Sequence, residues 1–181
     1  MWFSREKIFF GCNQCGECCR DMDIPLNHYD IYSILQSKPK FDIETFITLH
    51  PATADEFDAV RLYGGFTTLY LTNKLSDNSC IFLENNACSI YNHRPNSCRT
   101  WPFSKNSSDK LNINNVAGEI VSIFCDKTPF KESKKTLKTI NYGINEVSEY
   151  RKLIQLWNKE VEDLPEKQTL EFFIEYMTKK L

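Results

Sequence analysis

Hydrophobic and polar positions change rhythm twice along the chain. In the first stretch, residues 2–10 are apolar at both ends, which suits a short strand leading into a cysteine-rich loop. Leu26, Ile31, Ile34 and Leu35 then recur at helical intervals, with Asn27 placed to cap the helix. Lys38, Pro39 and Lys40 stop it. Asp42 is placed to cap a short second helix through Phe46, Ile47 and Leu49 to His50 and Pro51. In the middle stretch Gly64 and Gly65 mark a turn, and residues 66–72 are rich in β-branched and aromatic types, the signature of a strand. Residues 80–83 and 88–91 flank the polar turn 84–87 and predict a short hairpin that brings Cys80 near Cys88. Residues 112–123 predict one or two further strands before Cys125.

The last third is helical in pattern. Leu137, Ile140, Ile144, Val147, Ile154, Trp157 and Val161 recur in steps of three and four, on one helix face. Gly143 interrupts the run at about 1 kcal/mol relative to Ala, so a break is expected there. Pro165 closes this section, and Thr169 caps a final helix through Leu170, Phe173, Ile174 and Met177. The apolar stripe is read as core packing rather than as a dimer seam. The pattern therefore predicts an α+β fold. It is a single small domain with a short β-rich centre, a cysteine-cluster loop and C-terminal helices. The expected division is a cysteine-cluster region over residues 1–130 and a helical extension over residues 131–181 packed on the same domain.

Composition narrows the function. At 41% hydrophobic and 13% aromatic, the 181 residues can build a core beyond any metal site. The 22 basic and 24 acidic residues give a net charge of −2, so there is no specific nucleic-acid signal. No apolar run is long enough to span a bilayer. Residues 1–11 are interrupted by Arg5, Glu6 and Lys7 and lack a secretory signal, so the expected location is cytoplasmic. Nothing in the pattern specifies a protein partner or an oligomeric state.

Cysteine changes the picture most. Eight are present, and Cys12, Cys15, Cys18 and Cys19 fall within one short loop. A reducing cytosol disfavours disulfides, and neighbours this close would close only small, strained rings. A C-x2-C-x2-C run wraps thiolates around one compact inorganic centre, as in bacterial-type ferredoxins with four-iron clusters. Gly11 and Gly16 can supply left-handed backbone angles to such a loop, and Arg20 can offset a cluster's negative charge. Structural zinc usually takes two paired knuckles. No second C-x2-C exists here, so an iron–sulfur cluster, 4Fe-4S in type, is favoured over zinc.

The remaining cysteines are Cys80, Cys88, Cys98 and Cys125. Eight thiolates make either two four-cysteine sites or one site with additional thiols. Arg94 and Arg99 flank Cys98 and favour its thiolate, while Pro95 and Pro102 stiffen the segment and Trp101 and Phe103 shield it. Cys12, Cys15 and Cys18 are expected to share a centre, with Cys98 or Cys125 as the fourth ligand. Cys19 should face another centre or the core, because successive side chains in an extended segment diverge. Cys80 and Cys88 would serve a second site. Among the histidines, His93 is the better ligand candidate than His28 or His50, since it lies near Cys98.

With these residues in view, the chain resembles the YkgJ-type CxxCxxCC family, described as zinc- or iron-chelating. The resemblance rests on Cys12-x2-Cys15-x2-Cys18-Cys19, on Cys80 followed by Ile-Phe-Leu, and on Cys88-Ser-Ile-Tyr91. Arg94-Pro95-x2-Cys98-Arg99-x-Trp101-Pro102-Phe103 and Cys125 complete it. It covers residues 10 to about 130, with a looser likeness at Tyr150-Arg151 and Trp157-Asn158. Trp101 stands where the family usually has tyrosine. The resemblance implies metal chelation without implying a substrate. A related type, flagellin lysine N-methylase, carries a similar cluster and implies a route to methyl transfer.

Two functions follow as expectations. The first is a metal-binding protein acting in electron transfer, in cluster handling or as a metal-stabilised scaffold. The second is a metal-dependent enzyme related to protein lysine methylases, with a structural zinc protein as a further alternative. Gly64 and Gly65 precede a strand instead of following one, and only 6 glycines are present, so a Rossmann-type methyltransferase is not expected. Serine-hydrolase, P-loop and zinc-protease motifs are absent. No catalytic residue is identified.

Overall fold

The computed structural model describes residues 9–11, 13, 15–105, 111–113, 115–129 and 134–180. The strand expected over residues 2–10 lies largely outside them, and so does Cys12. The first described strand, β1, is Phe9–Gly11. Gly11 is therefore extended, and only Gly16 of the two loop glycines takes the left-handed angle, with φ 81°.

Helix α1, His28–Ser37, forms where expected. The Asn27 side chain accepts from the Asp30 N–H at 2.9 Å, and the Asp30 carboxylate accepts from the Asn27 N–H at 3.1 Å, a reciprocal capping box. Asp42 caps α2, but this helix is Ile43–Phe46 alone. Residues expected to extend it instead form β2, Ile47–Ala52. β-Branched Ile47 and Thr48 gain ladder partners in β4, Gly65–Leu71, and Pro51 is tolerated because β2 is an edge strand. Strand β3, Val60–Leu62, was not anticipated and lies on the other side of β4. The three strands form an antiparallel sheet in the order β2-β4-β3. Ile24–Leu26 extends its pairing, with Leu26 N–H donating to the Leu69 carbonyl and Leu71 N–H to that of Ile24, both at 2.9 Å.

The predicted hairpin is present with shorter strands, β5 Leu83–Glu84 and β6 Ala87–Cys88. Asn85 and Asn86 both have positive φ, the backbone that two-residue hairpin turns require. Next come α3, Asn96–Thr100, and the pair β7, Phe103–Lys105, with β8, Leu111–Ile113. Most of residues 112–123, read as one or two strands, are instead helix α4, Asn115–Phe124. Their β-branched residues carry the strand signal, yet the i to i+4 ladder continues to the Cys125 N–H on the Val121 carbonyl. Strand β9, Asp126–Pro129, pairs with β1.

Helix α5, Lys134–Glu160, is continuous through Gly143, against the expected break. The glycine is needed for a close approach: a Cβ there would lie 2.1 Å from the Asn96 amide oxygen. The buried stripe also differs from the expected one. Ile144 is exposed, whereas Ile140, Glu146, Tyr150, Leu153, Ile154, Trp157 and Val161 are buried. Trp157 donates to the Arg61 carbonyl at 3.0 Å, which docks α5 on β3. Thr169 caps α6, Leu170–Thr178, as expected. Phe46, Phe82 and Phe173 are, with Tyr150 and Trp157, the aromatic members of the core between sheet and helices. Each contributes about 1.5–3 kcal/mol on burial.

Candidate metal centre

The cysteines are positioned by backbone contacts distant in sequence. Gly16 in its left-handed conformation opens the 3-10 turn Glu17–Cys19, and a Cβ there would meet Leu83 Cδ1 at 3.3 Å. Cys19 N–H closes the turn on the Gly16 carbonyl at 2.9 Å. The chain then runs beside residues 78–80. Asp21 N–H donates to the Asn78 carbonyl at 3.1 Å, and Cys80 N–H donates to the Cys19 carbonyl at 2.7 Å. Cys88 pairs with Leu83 across the hairpin. Lys74 Nζ secures the hairpin by donating to the Leu83 carbonyl.

Cys98 arrives on α3. Its preceding turn is fixed by Asn96 N–H donating to buried Asp30 Oδ1 at 2.7 Å. The outcome is one cavity of about 310 Å³ whose wall includes Cys18, Cys19, Cys88 and Cys98, with apolar Ile24, Leu71, Phe82, Leu83 and Ile90. Cys80 lies behind this wall in the hydrophobic core. Cys19, Cys80, Cys88 and Cys98 are thiols, not disulfides.

These four sulfurs share one electrostatic environment. Hydrogen bonding from Cys18 brings the Cys19 thiol down to about 7, with further help from Arg94 and Arg20. Burial pushes Cys80 up to about 11, and the neighbouring Cys19 and Cys88 raise it further. Burial likewise raises Cys88, and Cys19 adds to it. Cys98 keeps partial exposure as a residue, yet protein encloses its thiol. It is raised strongly by burial, then by Cys80, Cys19 and Cys88. Three of these thiols, Cys80, Cys88 and Cys98, are crowded in a low-dielectric site and resist ionisation without a cation among them. Their chemistry therefore fits a thiophilic metal, which would stabilise the thiolates. Among the described residues, no group of three or more His, Cys, Asp or Glu side chains is arranged to hold a single metal ion.

A second neighbourhood forms around the N-terminal loop. Gly11 pairs with Asp126, and Asn13 Nδ2 donates to the Phe124 carbonyl at 2.7 Å, on either side of Cys125. Cys15 N–H donates to Asn13 Oδ1 at 3.3 Å. Helix α4 also contacts the 3-10 turn that carries Cys18. Cys125 thus stands beside the Cys15 loop, whereas Cys98 stands with Cys19, Cys80 and Cys88. The anticipated route of Cys19 away from Cys18 rested on an extended backbone, and the turn is 3-10 instead.

The remaining candidates have structural partners. His93 Nδ1 is 3.2 Å from Ser33 Oγ, and His50 stacks on Tyr70 at 4.5 Å. Buried His28 stacks on Tyr150 at 5.7 Å. Arg20 is paired with Asp77 at 3.2 Å. Sequence reasoning missed a buried ionic group behind Cys98. Asp30 and Glu146 are only 2% and 4% exposed, and Arg99 reaches them at 3.9 and 3.0 Å. Burial pushes Asp30 up to about 7 and raises Glu146 too. The three residues come from α1, α3 and α5, and no local pattern links them.

No helix among the described residues is long and apolar enough to cross a membrane. No curated protein and no solved structure matches the chain. The profile of one family, CxxCxxCC, described as "Putative zinc- or iron-chelating domain", matches residues 11–139, well over half of the chain. On that match the chain belongs to the CxxCxxCC family.

Proposed function

We propose that the protein holds two iron–sulfur centres and acts in electron transfer or cluster handling. Cys12, Cys15, Cys18 and Cys125 would hold one, and Cys19, Cys80, Cys88 and Cys98 the other. The observation that carries this reading is the convergence of cysteines from the 3-10 turn, the hairpin and α3 on one cavity. The division also suits the C-x2-C-x2-C-C run, since in two-cluster ferredoxins one cysteine of such a run serves the other cluster.

Size supports a polynuclear centre over a single ion. A tetrahedral zinc with Zn–S bonds of about 2.3 Å draws its sulfurs to about 4 Å of one another. Cys19, Cys88 and Cys98 instead border a cavity of about 310 Å³. Water in bulk takes about 30 Å³ per molecule, so the cavity admits more than one atom. Partial exposure of Cys15, Cys18 and Cys125 supports access from the surface. When bound, a cluster supplies one-electron chemistry, while the chain's own part is to hold it and limit water.

Anaerobic purification followed by iron, zinc and acid-labile sulfide analysis tests the reading. Brown protein with near-equal iron and sulfide is expected. Stoichiometric zinc in colourless protein would refute the cluster. Cys15→Ser and Cys80→Ser should each remove about half of the metal. Complete loss from either would refute the two-centre division.

A further inference from the structure

Among the described residues, the cavity wall carries an indole N–H without an acceptor and a guanidinium without a carboxylate partner. Trp101 lines the same cavity as Cys19, Cys88 and Cys98, and its indole N–H is buried with no hydrogen-bond partner among the described residues. The ring is held in place, with Phe10 edge-on at 6.0 Å. Arg94 lines the cavity as well. Its Nε donates to the Tyr91 carbonyl at 2.9 Å, and its guanidinium lies over the Tyr91 ring at 3.8 Å. Those contacts fix the group's position without neutralising it. Arg20, Arg61, Arg99 and Arg151 each pair with a carboxylate, and no carboxylate among the described residues pairs with Arg94.

We propose that Arg94 and the Trp101 N–H are the outer-shell donors of the centre held by Cys19, Cys80, Cys88 and Cys98. The inference rests on the reading of those thiols given above. A metal centre bound by four thiolates carries net negative charge, and its sulfurs accept hydrogen bonds. A desolvated anion of this kind needs fixed donors in place of water. An aromatic N–H and an uncompensated guanidinium, both on the wall that carries the thiols, supply them. The other polar groups on that wall do not carry a positive charge: Ser97 and Asn86 are neutral. Arg94 is thus the one formal cation facing the site among its lining residues.

The test uses the full chain, reconstituted anaerobically, with three substitutions. Trp101→Phe keeps an aromatic ring for Phe10 and removes only the N–H. Arg94→Met removes the charge, and Arg94→Lys retains charge without the planar fork. Loss of metal to a competing chelator and the reduction potential are both measured. Trp101→Phe and Arg94→Met should each release metal about 10- to 100-fold more readily, with Arg94→Lys between them and the parent. Their potentials should fall, because a less compensated centre resists gaining an electron. If the bound metal is zinc, chelator competition alone carries the comparison. Unchanged metal retention in both variants would overturn the inference, since a trapped water would then suffice as acceptor. A matching fall in the unfolding temperature of metal-free protein would also overturn it, assigning the effect to packing. If the metal content of the parent is unaffected by Cys80→Ser, it is the reading of the thiols that fails.

Discussion

Cys80 lies within the main hydrophobic core, and Cys19, Cys88 and Cys98 pack against it, whereas Cys15 and Cys125 stand in a lobe with little core of its own. That lobe comprises β1 with β9, β7 with β8, and α4. Its only buried hydrophobic residues among those described are Leu111 and Val121. Its strands are three or four residues long, in two-stranded pairs. Two-stranded ribbons of that length are marginal in water on their own. One cysteine set is therefore built on a scaffold that packing already stabilises. On the two-centre proposal, the other would help build its own scaffold. The difference shows that cysteines of one loop can play unequal structural parts, because Cys15 stands by the α4 end whereas Cys19 packs against the core.

Metal removal should expose that inequality most strongly. A centre whose ligands bring together weakly packed segments couples metal binding to folding. Chelation should abolish hydrogen-exchange protection at residues 9–19 and 111–129, while α1, α5 and α6 retain most of theirs. Uniform loss of protection would break the comparison. So would protection retained across the lobe.

The next effect concerns the core alone, through pH. Burial holds Asp30 up to about 7, against about 4 for a carboxylate in the unfolded chain. Between those values the folded protein keeps a proton that the unfolded chain has released. Stability therefore falls as pH rises from about 4 to about 7, by something on the order of 2–4 kcal/mol. Arg99, 3.9 Å away, limits the effect, and the raised carboxyl of Glu146 acts in the same direction. Asp30→Asn retains an acceptor for one of the two N–H groups, Asn27 or Asn96, and removes the titrating carboxyl, so it should flatten the profile. Urea unfolding of metal-free protein at pH 5 and pH 8 measures it. An unchanged slope in Asp30→Asn would show that other groups set the dependence.

Features that depend on near neighbours were legible in the sequence. The Asn27 cap, the Thr169 cap and the hairpin turn before Cys88 each follow from a few consecutive residues. Features decided by distant partners were not. Ile47 and Thr48 leave the helical pattern because Leu71 and Tyr70 provide ladder partners for them. Helix α4 was obscured because Val116, Ile120, Val121 and Ile123 favour strands in isolation. The metal-binding character of the cysteines was visible in their spacing. Their neighbourhoods were not, because Cys19 meets Cys80 through a bond spanning the intervening sheet sequence. Arg99 between Asp30 and Glu146 was hidden for the same reason.

Gly143 illustrates how a distant contact reverses a local expectation and offers a smaller perturbation of the core set. Replacing it with Ala improves helix propensity by about 1 kcal/mol. The added methyl, however, would fall 2.1–2.5 Å from the Asn96 side-chain amide atoms. Overpacking costs about 1–3 kcal/mol, so Gly143→Ala should be destabilising by about 1 kcal/mol net in urea unfolding. Asn96 opens the helix that carries Cys98, so metal in the core-embedded set should become more labile. A stabilised variant with unchanged metal retention would show that Asn96 moves aside freely.

The smallest expected effect tests the lobe from the opposite side. Asn13 is exposed, yet its side chain makes two bonds that join separate pieces of the lobe. Nδ2 donates to the Phe124 carbonyl, and Oδ1 accepts from the Cys15 N–H. The Phe124 carbonyl belongs to the last turn of α4, where no further helical N–H is available to it. Asn13 therefore fixes the Cys15 loop against the helix end that precedes Cys125. Each such bond contributes about 0.5–1.5 kcal/mol, and water can replace part of it at an exposed position. Asn13→Ala should consequently leave the urea midpoint of the core nearly unchanged. The effect should appear as metal lost from the lobe set several times faster under chelation. Cys80→Ser in the same background isolates that set, since its remaining metal is then held by the lobe. An equal loss from both sets would mean that Asn13 acts on the whole fold and that the two neighbourhoods are not independent. No change in either would mean that the Cys15 loop is positioned by the metal itself.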